Sequence, residues 1–68
     1  MNKKLLRSKM ALAGDRYEDL ANYIGISIGA FTRKINEKDG EFTQSEISQI
    51  RKKYSLTDAE TASIFFNE

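Results

Sequence analysis

The chain has 68 residues, no cysteine, no histidine and a net charge of only +1. Such a length holds one small domain, near the lower limit for a hydrophobic core without staples. The missing residue types exclude a disulfide framework and a thiolate metal site, and they remove the usual general base and metal ligand.

The start, Met1-Asn2-Lys3-Lys4-Leu5-Leu6, has the outline of a signal peptide, but Arg7 and Lys9 interrupt the apolar run too early. No stretch approaches a membrane span, so the expectation is a soluble cytoplasmic protein. A first helix is predicted from Asn2 to Ala13, with Leu6, Met10 and Ala13 turned inward and Gly14 stopping it. Asp15 is expected to open a second helix, with Glu18 completing a capping box. Leu20, Ala21 and Ile24 form its apolar stripe. The corner Gly25-Ile26-Ser27 is too short for anything but a tight turn, with Gly25 suited to the left-handed conformation and Ser27 to the cap of a third helix. Phe31 and Ile35 are the inward stripe of that helix, and Ile26 is placed to staple onto Phe31. A small residue at position 21 lets the second and third helices approach closely.

Residues 37–41 include a glycine and no apolar side chain, and so read as a loop. Thr43 with Glu46 marks a fourth helix, where Phe42 can staple onto Ile47, and Ile47, Ile50 and Tyr54 face inward. Thr57 with Glu60 marks a fifth, with Ala59, Ala62 and Phe66 on one face. There is no proline, repeat or linker. The expected architecture is an all-α, compact five-helix domain over residues 1–68.

Two short helices around a tight corner, at positions 17–36, form a helix-turn-helix, whose second helix can enter the major groove of DNA. Charge agrees: residues 1–38 hold eight basic and four acidic residues, whereas residues 39–68 hold three and six. Positive charge therefore gathers on the half that carries the motif. At about 100° per residue, Phe31 and Ile35 share a core arc, while Gly29, Thr32, Arg33 and Asn36 lie on a contiguous outer face. Arg33 can donate two bonds to guanine O6 and N7, or it contacts phosphate. Thr32 suits a thymine methyl, a phosphate or plain surface. Gly29 fits either close approach to DNA or close helix packing. Ile28, at the border of the arcs, reads first as core and second as a thymine-methyl contact. Candidates for the phosphate backbone are Ser27, Lys34, Asn36 and Lys38, with Thr43 and Gln44 at the start of the fourth helix. Arg51, Lys52 and Lys53 complement a helix dipole and read as structural.

The chain resembles the lambda-repressor-like, or Cro/repressor-type, helix-turn-helix family. The resemblance covers nearly the whole chain: one helix, the motif at 17–36, a loop and two further helices. Ala21, Gly25 and Phe31 fall where that family has an alanine, a glycine and a bulky apolar residue. The runs Phe31-Thr32-Arg33-Lys34-Ile35-Asn36, Glu41-Phe42-Thr43 and Ile64-Phe65-Phe66 are similar to small phage-borne members from Gram-positive bacteria. There are two departures. Tyr17 stands at the first motif position, where the family often has a phosphate-contacting glutamine. Ile28 and Gly29 stand at base-reading positions that are usually polar. The resemblance implies that Ile28, Gly29, Thr32 and Arg33 face the groove and that the tyrosine hydroxyl of Tyr17 can replace the glutamine against phosphate.

The expected function is sequence-specific binding of double-stranded DNA by a transcriptional regulator, most simply a repressor. Such a protein acts as a homodimer on a near-palindromic operator, with its two third helices about 34 Å apart. It needs no cofactor, metal, small-molecule ligand or membrane. An enzyme is the weakest class, because no nucleophile–base pair, phosphate loop or metal spacing is present. The alternative is a protein-interaction module, fed by Phe65 and Phe66: one helix face cannot bury both, so an apolar end is left as core or dimer interface.

Overall fold

A computed structural model describes residues 1–38 and 40–66 of the chain. Asp39, within the expected loop, lies outside the described residues, as do Asn67 and Glu68. The described residues form five helices and no strand: α1 Lys3–Ala13, α2 Tyr17–Ile24, α3 Ile28–Ile35, α4 Gln44–Tyr54 and α5 Asp58–Phe65.

Side-chain caps set most of the helix starts. The Asn2 carboxamide accepts the Leu5 N–H at 3.1 Å, so the first helix opens one residue later than its predicted start. Ser27 Oγ accepts the Ala30 N–H at 3.1 Å. Thr43 and Thr57 each form the reciprocal box expected of them, with Glu46 and Glu60. The start of α2 differs from expectation. Arg16, not Asp15, precedes the helix, and its N–H donates to the Asp19 carboxylate at 2.8 Å. Asp15 still belongs to the exit of α1, where its own N–H donates to the Met10 carbonyl at 2.9 Å. Its carboxylate turns to α4 instead, accepting from the Tyr54 hydroxyl at 2.8 Å with Lys53 Nζ at 3.5 Å. Burial first, then this hydrogen bond and the charges of Asp15 and Asp19, push the Tyr54 phenol well above its ordinary pKa.

Helix exits follow one pattern four times. After α1, α2, α3 and α4, two successive N–H groups fold back onto carbonyls of the last turn, around a residue with positive φ. Glycine fills that position after α1 and α2, at Gly14 and Gly25. After α3 and α4 it is held by Glu37 and Ser55, with φ of 57° and 51°.

The core gathers Leu6, Met10, Leu20, Ala21, Ile24, Phe31, Ile35, Phe42, Ile47, Ile50, Leu56 and Ile64. Packing of α2 on α3 and α4, and of α1 on α4 and α5, makes α4 the central strut. The radius of gyration, 10.8 Å, matches the value of about 11 Å expected for a compact chain of this size. Two inward stripes differ from expectation. Ala13 is exposed, because α1 buries only Leu6 and Met10. On α5 the predicted face of Ala59, Ala62 and Phe66 points outward, and Thr61 and Ile64 are buried instead. Thr61 tolerates burial because its hydroxyl donates to the Thr57 carbonyl at 2.9 Å, leaving a methyl for the core.

An aromatic chain that no periodicity announces crosses the molecule. The ring of Tyr17 lies 5.2 Å from Phe31, Phe31 lies 5.6 Å from Phe42, and Phe42 lies 5.9 Å from Phe65, all tilted or edge-on. These separations and angles are the favourable ones for ring quadrupoles. Phe65 is therefore half-buried against the core, whereas its neighbour Phe66 is exposed. No helix among the described residues is long and apolar enough to cross a membrane.

Candidate nucleic-acid interface

The corner between α2 and α3 is built as its residues dictate. Gly25 has φ +80°, and its N–H and that of Ile26 return to the carbonyls of Asn22 and Ala21. Ala21 on α2 is only 1% exposed and belongs to the core, and α2 packs on both α3 and α4. Ser27 then starts α3 from an extended conformation, so three residues separate the two helices.

Phe31 and Ile35 anchor α3 to the core, and Arg33 and Lys34 fall in its last turn, where they complement the helix dipole. The outward face carries Ile28, Gly29, Thr32 and Arg33. Ile28 is 52% exposed, which corrects the expectation that it packs inward. Phe31 and Ile35 are the buried residues of α3, and Ile28 at its start is not among them. Gly29 and Arg33 are exposed and Thr32 is half-buried. The Thr32 hydroxyl donates to the Ile28 carbonyl at 2.8 Å and is therefore satisfied within the helix. Arg33 folds alongside Gly29: a Cβ built on Gly29 would lie 3.8 Å from its Nη1.

The phosphate candidates divide into three groups. Lys38 is exposed, and Ser27, Thr43 and Gln44 are exposed at helix starts. Ser27 and Thr43 hydroxyls already accept cap bonds, although each hydroxyl proton remains to donate. Tyr17 is half-buried with its ring against Phe31, which places packing first among its roles. Lys34 is a different residue from the one expected. Its Nζ sits 2.8 and 2.9 Å from the two carboxylate oxygens of Glu46, and the two side chains are only 20% and 10% exposed. The ammonium faces α4, away from the outward surface of α3. Burial pushes the Glu46 carboxyl up, but hydrogen bonds from Lys34 and the Thr43 N–H, with the Lys34 charge, outweigh it and hold the group below its ordinary value of 4.5.

Two contacts of the site escape the sequence reading. Glu46 reads as half of a capping box, yet the same carboxylate ties α3 to α4. No short-range pattern reveals that, because the partners are twelve positions apart. Lys3 reads as a contact to the flanking DNA backbone or, more simply, as part of a solvated amino terminus, and neither reading pairs it with α3. Its Nζ donates to the Asn36 carboxamide at 2.8 Å, at the end of α3, so Asn36 and the cation of Lys3 form one polar edge.

A second surface feature lies elsewhere. A groove of about 540 Å³ runs between the loop after α3 and the end of α5, floored by Phe42, Ile47 and Phe65 and edged by Met1, Glu37, Glu41, Gln44 and Phe66. Gln44 thus borders this groove as well as the start of α4.

Compared with protein-family models, with curated proteins and with solved structures, the chain matches none.

Proposed function

We propose that the chain is a lambda-repressor-like helix-turn-helix domain that binds double-stranded DNA and acts as a small transcriptional repressor. The observation that carries this proposal is the outward face of α3. A helix anchored from behind by Phe31, Ile35 and the Lys34–Glu46 pair presents Ile28, Gly29, Thr32 and Arg33 on one side. Such a face, held rigidly beyond a three-residue corner, suits insertion into a groove about 12 Å wide. Lys38 and the Lys3–Asn36 edge lie where cations can meet flanking phosphates. One domain reads only about 4–6 base pairs, so selectivity calls for two copies on a near-palindromic site. Bound across a promoter, such a dimer blocks polymerase.

Retardation of a random pool of short duplexes at rising salt tests the proposal. The expected result is binding that weakens steeply with salt, with a recoverable sequence preference among retained duplexes. Absence of binding at low salt overturns it. In that case the exposed Phe66 and the apolar groove beside it favour the second reading, a protein-interaction module.

A further inference from the structure

The close packing of α3 is with α2, whereas α4 packs closely on α1 and α2 and meets α3 through an ion pair. Lys34 Nζ lies 2.8 and 2.9 Å from the two oxygens of Glu46, one of the buried residues of α4. The carboxylate is itself held, because its Oε1 also accepts the Thr43 N–H at 2.9 Å, while the Thr43 hydroxyl accepts the Glu46 N–H. The acceptor is therefore fixed to the first turn of α4 independently of Lys34. Phe31 and Ile35 give α3 apolar burial, which is non-directional and lets a helix slide or roll on its neighbour. A charge-assisted bond to a locked carboxylate does not. Lys34 directly follows Arg33 in the helix, so any roll of α3 that broke this bond would re-aim Arg33 and Gly29 with it.

Stability alone gives little reason for the pair. Two poorly exposed charges lose hydration that their attraction barely returns, and uncharged replacements of similar shape often leave a fold as stable. What the pair adds is a single setting of α3. The other end of α4 makes a comparable cluster with a different target. There Tyr54 and Lys53 hold the Asp15 carboxylate before α2, and Lys53 Nζ lies 4.7 Å from the centre of the Tyr23 ring. None of these contacts is with α3.

We infer that Lys34 and Glu46 are positioning residues for DNA recognition: their bond fixes the roll of α3, and with it the preference for one sequence over another, without touching DNA. The inference rests on the DNA-binding function proposed above and concerns sequence preference alone.

Lys34→Met combined with Glu46→Gln removes one charge of each sign, so the net charge stays at +1, and it keeps an oxygen to accept the Thr43 N–H. Its thermal midpoint should stay within about 4 °C of wild type. Duplexes selected from a random pool by the wild-type protein, and unrelated duplexes of the same length, are titrated with each variant at a temperature where it is folded. Binding of the double variant to the selected duplex should fall about tenfold, while binding to unrelated duplexes and the salt slope should hold. Glu46→Gln alone should lower the ratio of the two affinities about threefold. Tyr54→Phe is the control: it should lower the midpoint and leave the ratio unchanged, which separates positioning from a general loss of stability. A ratio unchanged in the double variant, or in Glu46→Gln should the double variant not fold, overturns the positioning role and leaves DNA binding standing. So does an equal fall in the control. An even loss on all duplexes with a salt slope lower by about one also overturns it, by making Lys34 a phosphate contact. If the wild-type protein retains no duplex at all, both readings fall together.

Discussion

Two adjacent cations on α3 sit in opposite environments. Arg33 is exposed, whereas Lys34 is held by both oxygens of Glu46. Arg33→Ala should leave the denaturation midpoint within about 0.5 kcal/mol of wild type and lower affinity for selected DNA. If Arg33 reads guanine, the loss is about 1–3 kcal/mol and preference relaxes at one position; if it meets phosphate, affinity falls evenly and the salt slope drops by about one. Lys34→Ala strands a poorly exposed carboxylate and should cost about 1–3 kcal/mol of stability, measurable by urea titration. Equal midpoints for the two variants would show that the ion pair contributes nothing. Glu46 adds a pH dependence to the same site. Its carboxyl is held below 4.5 in the folded protein, so the folded state binds that proton less tightly than the unfolded chain. Its contribution is complete above the ordinary carboxylate range and is lost as pH falls through the lowered value. As pH falls below 4.5 and through the lowered value, wild type should therefore lose more stability than Glu46→Gln.

At the scale of helices, the recurring exit motif separates what was legible from what was not. Gly14 and Gly25 announce their turns, because glycine adopts positive φ without steric cost. Ser55 and Glu37 adopt the same geometry with no such signal. Ser55→Gly should relieve the left-handed strain after α4 and raise stability by about 1 kcal/mol, or about 4 °C in a thermal melt; a lower midpoint would mean the serine side chain has a compensating role. The boxes at Thr43 and Thr57 were readable because they are local. The α3 core residues were readable because Phe31 and Ile35 share one narrow arc. Ile28 was misread because it borders that arc, and an isoleucine there reads as core unless the extent of the neighbouring helix is known. The α5 face was misread for a related reason. Ala59 and Ala62 carry little apolar weight, and Thr61 looks polar until its hydroxyl is seen to bond back within the helix. The Lys34–Glu46 and Lys3–Asn36 contacts join distant positions, and no periodicity encodes them.

Across the whole molecule, the aromatic chain from Tyr17 through Phe31 and Phe42 to Phe65 couples the motif to the last helix. Phe65→Ala should accordingly destabilise by about 1–3 kcal/mol, less than a fully buried phenylalanine. Phe66→Ala, at an exposed position, should change stability by no more than about 0.5 kcal/mol. Thermal melts of the pair check this, and a larger loss at Phe66 would reassign the packed ring.

The Asn2 N–H donates to the Ile64 carbonyl at 2.8 Å, and α1 lies against α4 and α5. This places a constraint on biosynthesis. α1 is synthesised before α4 and α5, so the part of it that they cover stays uncovered until they follow. Translation at about 5–20 residues per second makes that wait several seconds long. A nascent chain halted after Tyr54 has α4 to lay against α1 but lacks α5, so the Asn2–Ile64 hydrogen bond and the burial of Leu56 and Ile64 come only with the residues that follow.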